Sequence, residues 1–192
     1  RLALAVALAL ACATGCDRSG KSAPAPVAVK KPATLDPWDP LPPRVAEAMA
    51  LRGKEGPRAL ALLNGIWADA VAKGDVRTAA IALHRSGDLS ADQLQKAEAR
   101  AFYLRAVALY QLSGERALLG LVANDLGLLA RASGDEPIAW FDYSARVRRE
   151  IGDVGGLRTA LGNQGGFQAL NGRYAESIPV LNEALALAEQ LE

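Results

Sequence analysis

The chain has 192 residues, of which 51% are hydrophobic, and its 22 Lys and Arg against 21 Asp and Glu leave a formal net charge of +1. That near-neutral balance, with no basic run, excludes the Lys/Arg footprint a nucleic-acid binder sets against phosphates and leaves no basic helix suited to a membrane surface. Ala and Leu dominate, aromatic residues make up 5%, and β-branched residues are sparse, which favours helix over sheet.

The chain opens with Arg1, an apolar run from Leu2 to Ala13, then Thr14, Gly15 and Cys16. A positive start, a short apolar stretch and small residues before a Cys resemble a secretory signal of the lipoprotein type. The run is shorter than the roughly 20 residues a membrane-spanning helix needs. The resemblance implies cleavage after residue 15, lipidation of Cys16, and a place in the bacterial cell envelope. Ala13 stands where such signals usually carry Leu. Ala11-Cys12-Ala13 also fits an ordinary cleavage site, which would release a soluble periplasmic protein. Cys12 and Cys16 are the only cysteines, so the rest of the chain has no disulfide framework and no cysteine metal site.

Gly15-Cys16-Asp17-Arg18-Ser19-Gly20-Lys21-Ser22 matches the spacing of a phosphate-binding loop. Such a loop works between a strand and a helix, whose N-terminus holds the phosphates. Here an export segment precedes it, and Ala23-Pro24-Ala25-Pro26 cannot continue as a helix. No nucleotide is therefore expected. Seven of the ten prolines lie between Pro24 and Pro43, giving an extended, solvated linker over residues 16–43. Within it Trp38 is a large apolar group in a polar tether, suited to dock on the first helices or to serve as a recognition handle.

From residue 44 apolar and polar residues alternate at helical spacing. Breaks fall at Gly53–Gly56, Gly74-Asp75, Gly87-Asp88, Gly114-Glu115, Gly134-Asp135, Gly152-Asp153 and Gly172-Arg173, since Gly past a helix end accepts the left-handed conformation. The predicted helices are 44–52, 57–73, 76–86, 91–112, 115–132, 136–150, 155–170 and 174–191. Ser90 with Gln93 reads as a capping box for the fourth. Leu119, Val122, Leu126 and Leu129 form one apolar stripe, and Ile178, Leu181, Leu185 and Ala188 another that needs a neighbour. Trp67, Trp140 and Phe141 read as core, and Phe102, Tyr103 and Tyr110, along one long helix, as packing between helix pairs, because their apolar area favours burial.

Gly74-Asp75, Gly114-Glu115 and Gly152-Asp153 recur at intervals near forty residues, a range that marks stacked repeats. The stretches Asn124-Asp125-Leu126-Gly127…Gly134-Asp135…Ala139…Tyr143 and Gly165…Gly172-Arg173-Tyr174…Ser177…Leu181…Ala184 resemble tetratricopeptide repeats. The resemblance covers 115–192 well, 57–112 loosely and 1–43 not at all. Its period exceeds the 34 residues of that family, and Arg146 stands where a small residue is usual. It implies an all-α solenoid of antiparallel helix hairpins over residues 44–192, with Gly127, Ala139, Gly165, Ser177 and Ala184 as the small residues that let paired helices approach.

Catalysis needs clustered acids, bases, nucleophiles or metal ligands. His84 is the only His and reads as a residue of a helix surface or turn, so no catalytic group, metal or cofactor is expected. The repeat resemblance implies a concave groove that binds a peptide or partner protein. Its lining would be Leu121, Asn124, Leu128 and Arg131 in one repeat and Thr159, Gly162, Gly166 and Ala169 in the next. Asn124 and Arg131 form the polar pair best placed for a partner, Arg131 offering a two-pronged grip on a carboxylate; the alternative is that both are ordinary surface residues. The expected function is an interaction scaffold of the cell envelope. The alternative is a docking or sensory arm of a larger enzyme whose catalytic domain follows residue 192.

Overall fold

The computed structural model describes Trp38 and residues 40–191. The expectations for the export segment, Cys16 and the linker up to residue 37 lie outside the described residues. Among those described there are eight helices and no strand: α1 (Pro43–Ala50), α2 (Gly56–Lys73), α3 (Val76–Asp92), α4 (Lys96–Ser113), α5 (Arg116–Ser133), α6 (Ile138–Glu150), α7 (Val154–Leu170) and α8 (Tyr174–Glu189). The molecule is an all-α stack of helix hairpins.

One device ends most of the helices. Gly74, Leu94, Gly114, Gly134, Gly152 and Gly172 have positive φ, from 59° to 81°. The residue after each donates its N–H five residues back: Asp75 to Ala70, Gln95 to Ser90, Glu115 to Tyr110, Asp135 to Ala130, Asp153 to Arg148 and Arg173 to Gln168. This closure satisfies a carbonyl that the helix end leaves free. The six positions are twenty residues apart, except that Gly134 and Gly152 are eighteen apart. Two helices thus give the forty-residue period read in the sequence.

The third break is elsewhere than predicted. Gly87 is buried inside α3, and the chain turns at Leu94 instead. A Cβ on Gly87 would lie 2.5 Å from the Tyr103 ring. The glycine is there for close approach of two helices, not to end one. Ser90 is accordingly a buried residue of α3 and not the cap of α4. Trp67 and Trp140 also differ from their core reading: both are half-buried, packed against the core from its edge. Trp67 carries the Arg105 guanidinium 4.7 Å above its ring.

Helices pair by the same lock in three hairpins. Gly87 of α3 faces Tyr103 of α4, Gly127 of α5 faces Phe141 of α6, and Gly165 of α7 faces Leu181 of α8, with an added Cβ 2.4–2.7 Å from each. Small buried residues flank the large one: Ala99 and Ala106 beside Tyr103, Ser144 beside Phe141, Ser177 and Ala184 beside Leu181. Ser144 and Ser177 donate to the carbonyls of Gly120 and Gly165 at 2.6 and 2.8 Å. Ala139 is exposed, not at a close approach, and Phe141 rather than Tyr143 meets Gly127. The cause is the non-helical stretch Asp135–Pro137 before α6. Residues outside a helix can advance the chain by more than the roughly 1.5 Å of a helical residue, so this hairpin reaches its large residue sooner. Arg146 is exposed for the same reason, since Ser144 holds the small-residue place.

Among the odd-numbered helices α1 packs on α3 and α5 on α7, whereas no two even-numbered helices meet to a comparable extent, and α3 is joined to α5 by the His84–Asp125 side-chain contact. The stack therefore closes on its odd side, and α3, α5 and α7 make the inner face. The core runs from Val45 through Leu63, Ile81, Tyr110, Leu119 and Leu126 to Val147. A second cluster around Leu157, Ala160 and Leu161 joins α7 to α6 and α8. Between these clusters Arg148 pairs with Asp153, both buried, and Asp153 also accepts from the Gly156 N–H, capping α7.

Candidate functional site

The inner face is ordered by its distance from the locking glycines. Three residues before Gly87 stands His84, three before Gly127 stands Asn124, and three before Gly165 stands Gly162. The residue after each of the last two reaches back to the preceding helix. Asp125 Oδ2 lies 2.9 Å from His84 Nε2, and Asn163 Nδ2 donates to Asn124 Oδ1 at 2.9 Å. Two rungs of one ladder thus connect α3 to α5 and α5 to α7. At α7 the next rung is bare, with open space over Gly162 and Gly166.

The first rung is the most elaborate. His84 is fully buried, a correction to its reading as a surface or turn residue. Its Nδ1 lies 3.3 Å from Tyr110 Oη. Its ring has Trp38 at 4.9 Å, tilted by 53°, and Tyr103 edge-on at 5.5 Å. Tyr103 donates to Asp88 Oδ1 at 2.9 Å, and Arg85 donates to Asp88 Oδ2 at 2.9 Å. Burial, and after it the Asp88 carboxylate, pushes the Tyr103 phenol far above its ordinary range; burial does the same to Tyr110. Both phenols remain protonated.

His84, Asp88 and Asp125 each offer one donor atom within 4.8 Å of the others. All three already have partners, so a cation would displace the bonds to Arg85, Tyr103 and His84. Both His84 nitrogens are likewise engaged, Nδ1 with Tyr110 and Nε2 with Asp125.

The residues read from sequence as groove lining fall as follows. Asn124 is buried and bonded to Asn163, while Leu121 and Leu128 are half-buried and Arg131 is exposed on α5. Arg131 takes no part in the Asn124 bond and makes no ion pair among the described residues. Thr159 is exposed, its hydroxyl donating to the Gly155 carbonyl at 3.0 Å, and Ala169 is half-buried. Leu128 joins Ala91, Leu94, Tyr103 and Leu129 around a cleft of about 230 Å³ that reaches Asp125. Sequence reading missed His84, Asp88, Asp125 and Asn163. The signal was present, since His84 precedes Gly87 by the same three residues that separate Asn124 from Gly127. Reading Gly87 as a helix end hid that register.

Fold and inner face together define a stack of helical hairpins with a partly polar, partly apolar face along its odd helices. No family model matches the chain, and no curated protein is similar to it at a significant level.

Proposed function

We propose that the chain is a tetratricopeptide-like scaffold of the bacterial cell envelope that binds an extended segment of another protein along α3, α5 and α7. The observation that carries this reading is the recurrence of one lock, glycine against a large side chain, in three hairpins. The hairpins so formed are joined through His84–Asp125 and Asn163–Asn124, which link α3 to α5 and α5 to α7, and stacked hairpins present such a face as a long binding surface. Leu128 supplies apolar contact beside the cleft. The exposed Arg131 supplies a charge suited to a carboxylate. Open space over Gly162 and Gly166 admits a bulky side chain or a close main chain.

Photo-reactive residues at Leu128 and Arg131, compared with one at the exposed Leu112 of α4, test this in cells. A discrete partner cross-linked from the first two positions and not from Leu112 is the expected outcome; equal labelling from all three would overturn it. The anchor, proposed at Cys16, has its own test: Cys16→Ser should abolish incorporation of labelled palmitate, and retained label would refute it.

A further inference from the structure

Trp38 and Pro40 lie over α3. Trp38 packs on the His84 ring, with the Arg85 guanidinium 3.5 Å from the centre of the indole. Arg77 donates to the Pro40 carbonyl at 3.3 Å. Pro40 is thus held near the start of α3 and Trp38 near its middle, so this strap runs antiparallel to the helix. His84 is the first-hairpin counterpart of Asn124, which places the strap on the inner face proposed as the binding surface.

We propose that the His84–Arg85 platform is an aromatic-anchor subsite, filled within the chain by Trp38, and that the partner segment displaces the strap by presenting an aromatic ring of its own. The chemistry of the platform favours such a ring. Arg85 offers a flat cation over its face, worth about 0.5–2 kcal/mol depending on desolvation. His84, with Tyr103 and Tyr110 behind it, offers an apolar floor. Arg85 Nε is buried and has no acceptor among the described residues, whereas an extended main chain carries a carbonyl at every residue.

The platform also sets what lies beside the ring. The cleft around Ala91, Leu94 and Leu128 begins at Ala91, six residues beyond Arg85 on α3, and continues at Leu94 in the turn that follows, about 9–14 Å from the platform. An extended segment covers that span in about three or four residues. The partner therefore carries an apolar side chain three or four positions before its aromatic residue. This proposal rests on the reading of the inner face as a binding surface, but the two fail separately: the cross-links report the face, and the experiment below reports the platform.

A synthetic peptide of residues 32–43 is the probe, titrated by fluorescence anisotropy into the full chain and into its Trp38→Ala variant. A tethered strap acts at an effective concentration on the order of millimolar, and a subsite closed nine-tenths of the time weakens an outside ligand by about tenfold. Saturable binding to Trp38→Ala is expected, at least tenfold weaker to the unaltered chain, and lost when Arg85→Ala is added. Trp38→Phe keeps a ring in place and should bind as weakly as the unaltered chain. Equal affinity for the unaltered and Trp38→Ala chains, or no saturation up to several millimolar with Trp38→Ala still helical by circular dichroism, would overturn the proposal.

Discussion

Single glycines divide into two kinds that a sequence shows alike. Gly127 faces Phe141 with no room for a methyl group, whereas Gly162 faces open space inside the same kind of helix. Gly127→Ala should lower stability by about 1–3 kcal/mol through overpacking, and Gly162→Ala should raise it by about 0.5–1 kcal/mol through helix propensity. Urea unfolding reads both, and equal effects would refute the distinction. Asp75 is a residue-scale feature of another sort. The backbone N–H of Thr78, donating at 3.0 Å, and then the Thr78 side chain hold its carboxyl below the ordinary value. A carboxyl depressed in the folded state stabilises above its unfolded pKa, near 3.9, and that contribution is lost as pH falls through the lower folded value. Thermal stability should therefore drop below about pH 4, and less steeply in Asp75→Asn, which keeps the cap without the titration. An unchanged profile in Asp75→Asn would show that Asp75 is not among the groups responsible. The lone His84 illustrates what was not legible. Its spacing to Gly87 carried the register of the inner face, but its partners could not be read, because Tyr110 and Asp125, which engage it, are 26 and 41 residues away.

At the scale of elements, helix type and number were legible because the apolar spacing and the Gly-acid pairs agree. Two boundaries were not. Gly87-Asp88 carries the same signature as Gly74-Asp75, yet it lies inside α3, and the turn falls on Leu94 with φ 59°. A leucine in the left-handed region costs about 1–2 kcal/mol, and glycine there gives back about 0.5–1 kcal/mol in unfolded-state entropy. Leu94→Gly should stabilise the fold by roughly 0.5 kcal/mol. It should also remove one wall of the cleft shared with Ala91 and Leu128, so binding should weaken as the melting temperature rises. A fall in melting temperature would mean that Leu94 contributes more by packing than it costs in strain. The late start of α6 was equally hidden, since Pro137 signals a helix entry without giving the length of the non-helical stretch before it. That length decides whether Phe141 or Tyr143 meets Gly127.

At the scale of the whole molecule, one backbone closure repeats every eighteen or twenty residues, and one glycine lock repeats in each of three hairpins. This regularity repeats the hairpin, and the contacts His84–Asp125 and Asn163–Asn124 between hairpins make one face of residues distant in sequence. On that face the polar rungs are self-satisfied, and what remains open to a partner is apolar surface around Leu128, the charge of Arg131 and the bare stretch at Gly162 and Gly166. On α8 the opposite situation holds, with Tyr174 and, from the stripe read in the sequence, Ile178 and Leu185 more than half exposed. The measurement to make first is the affinity of the partner cross-linked from the inner face, for the full chain and for Leu128→Glu and Leu112→Glu variants. A loss of tenfold or more in Leu128→Glu, with Leu112→Glu unchanged, is the expected result. Unchanged affinity in Leu128→Glu, or an equal loss in both variants, would contradict the placement of the binding surface on α3, α5 and α7.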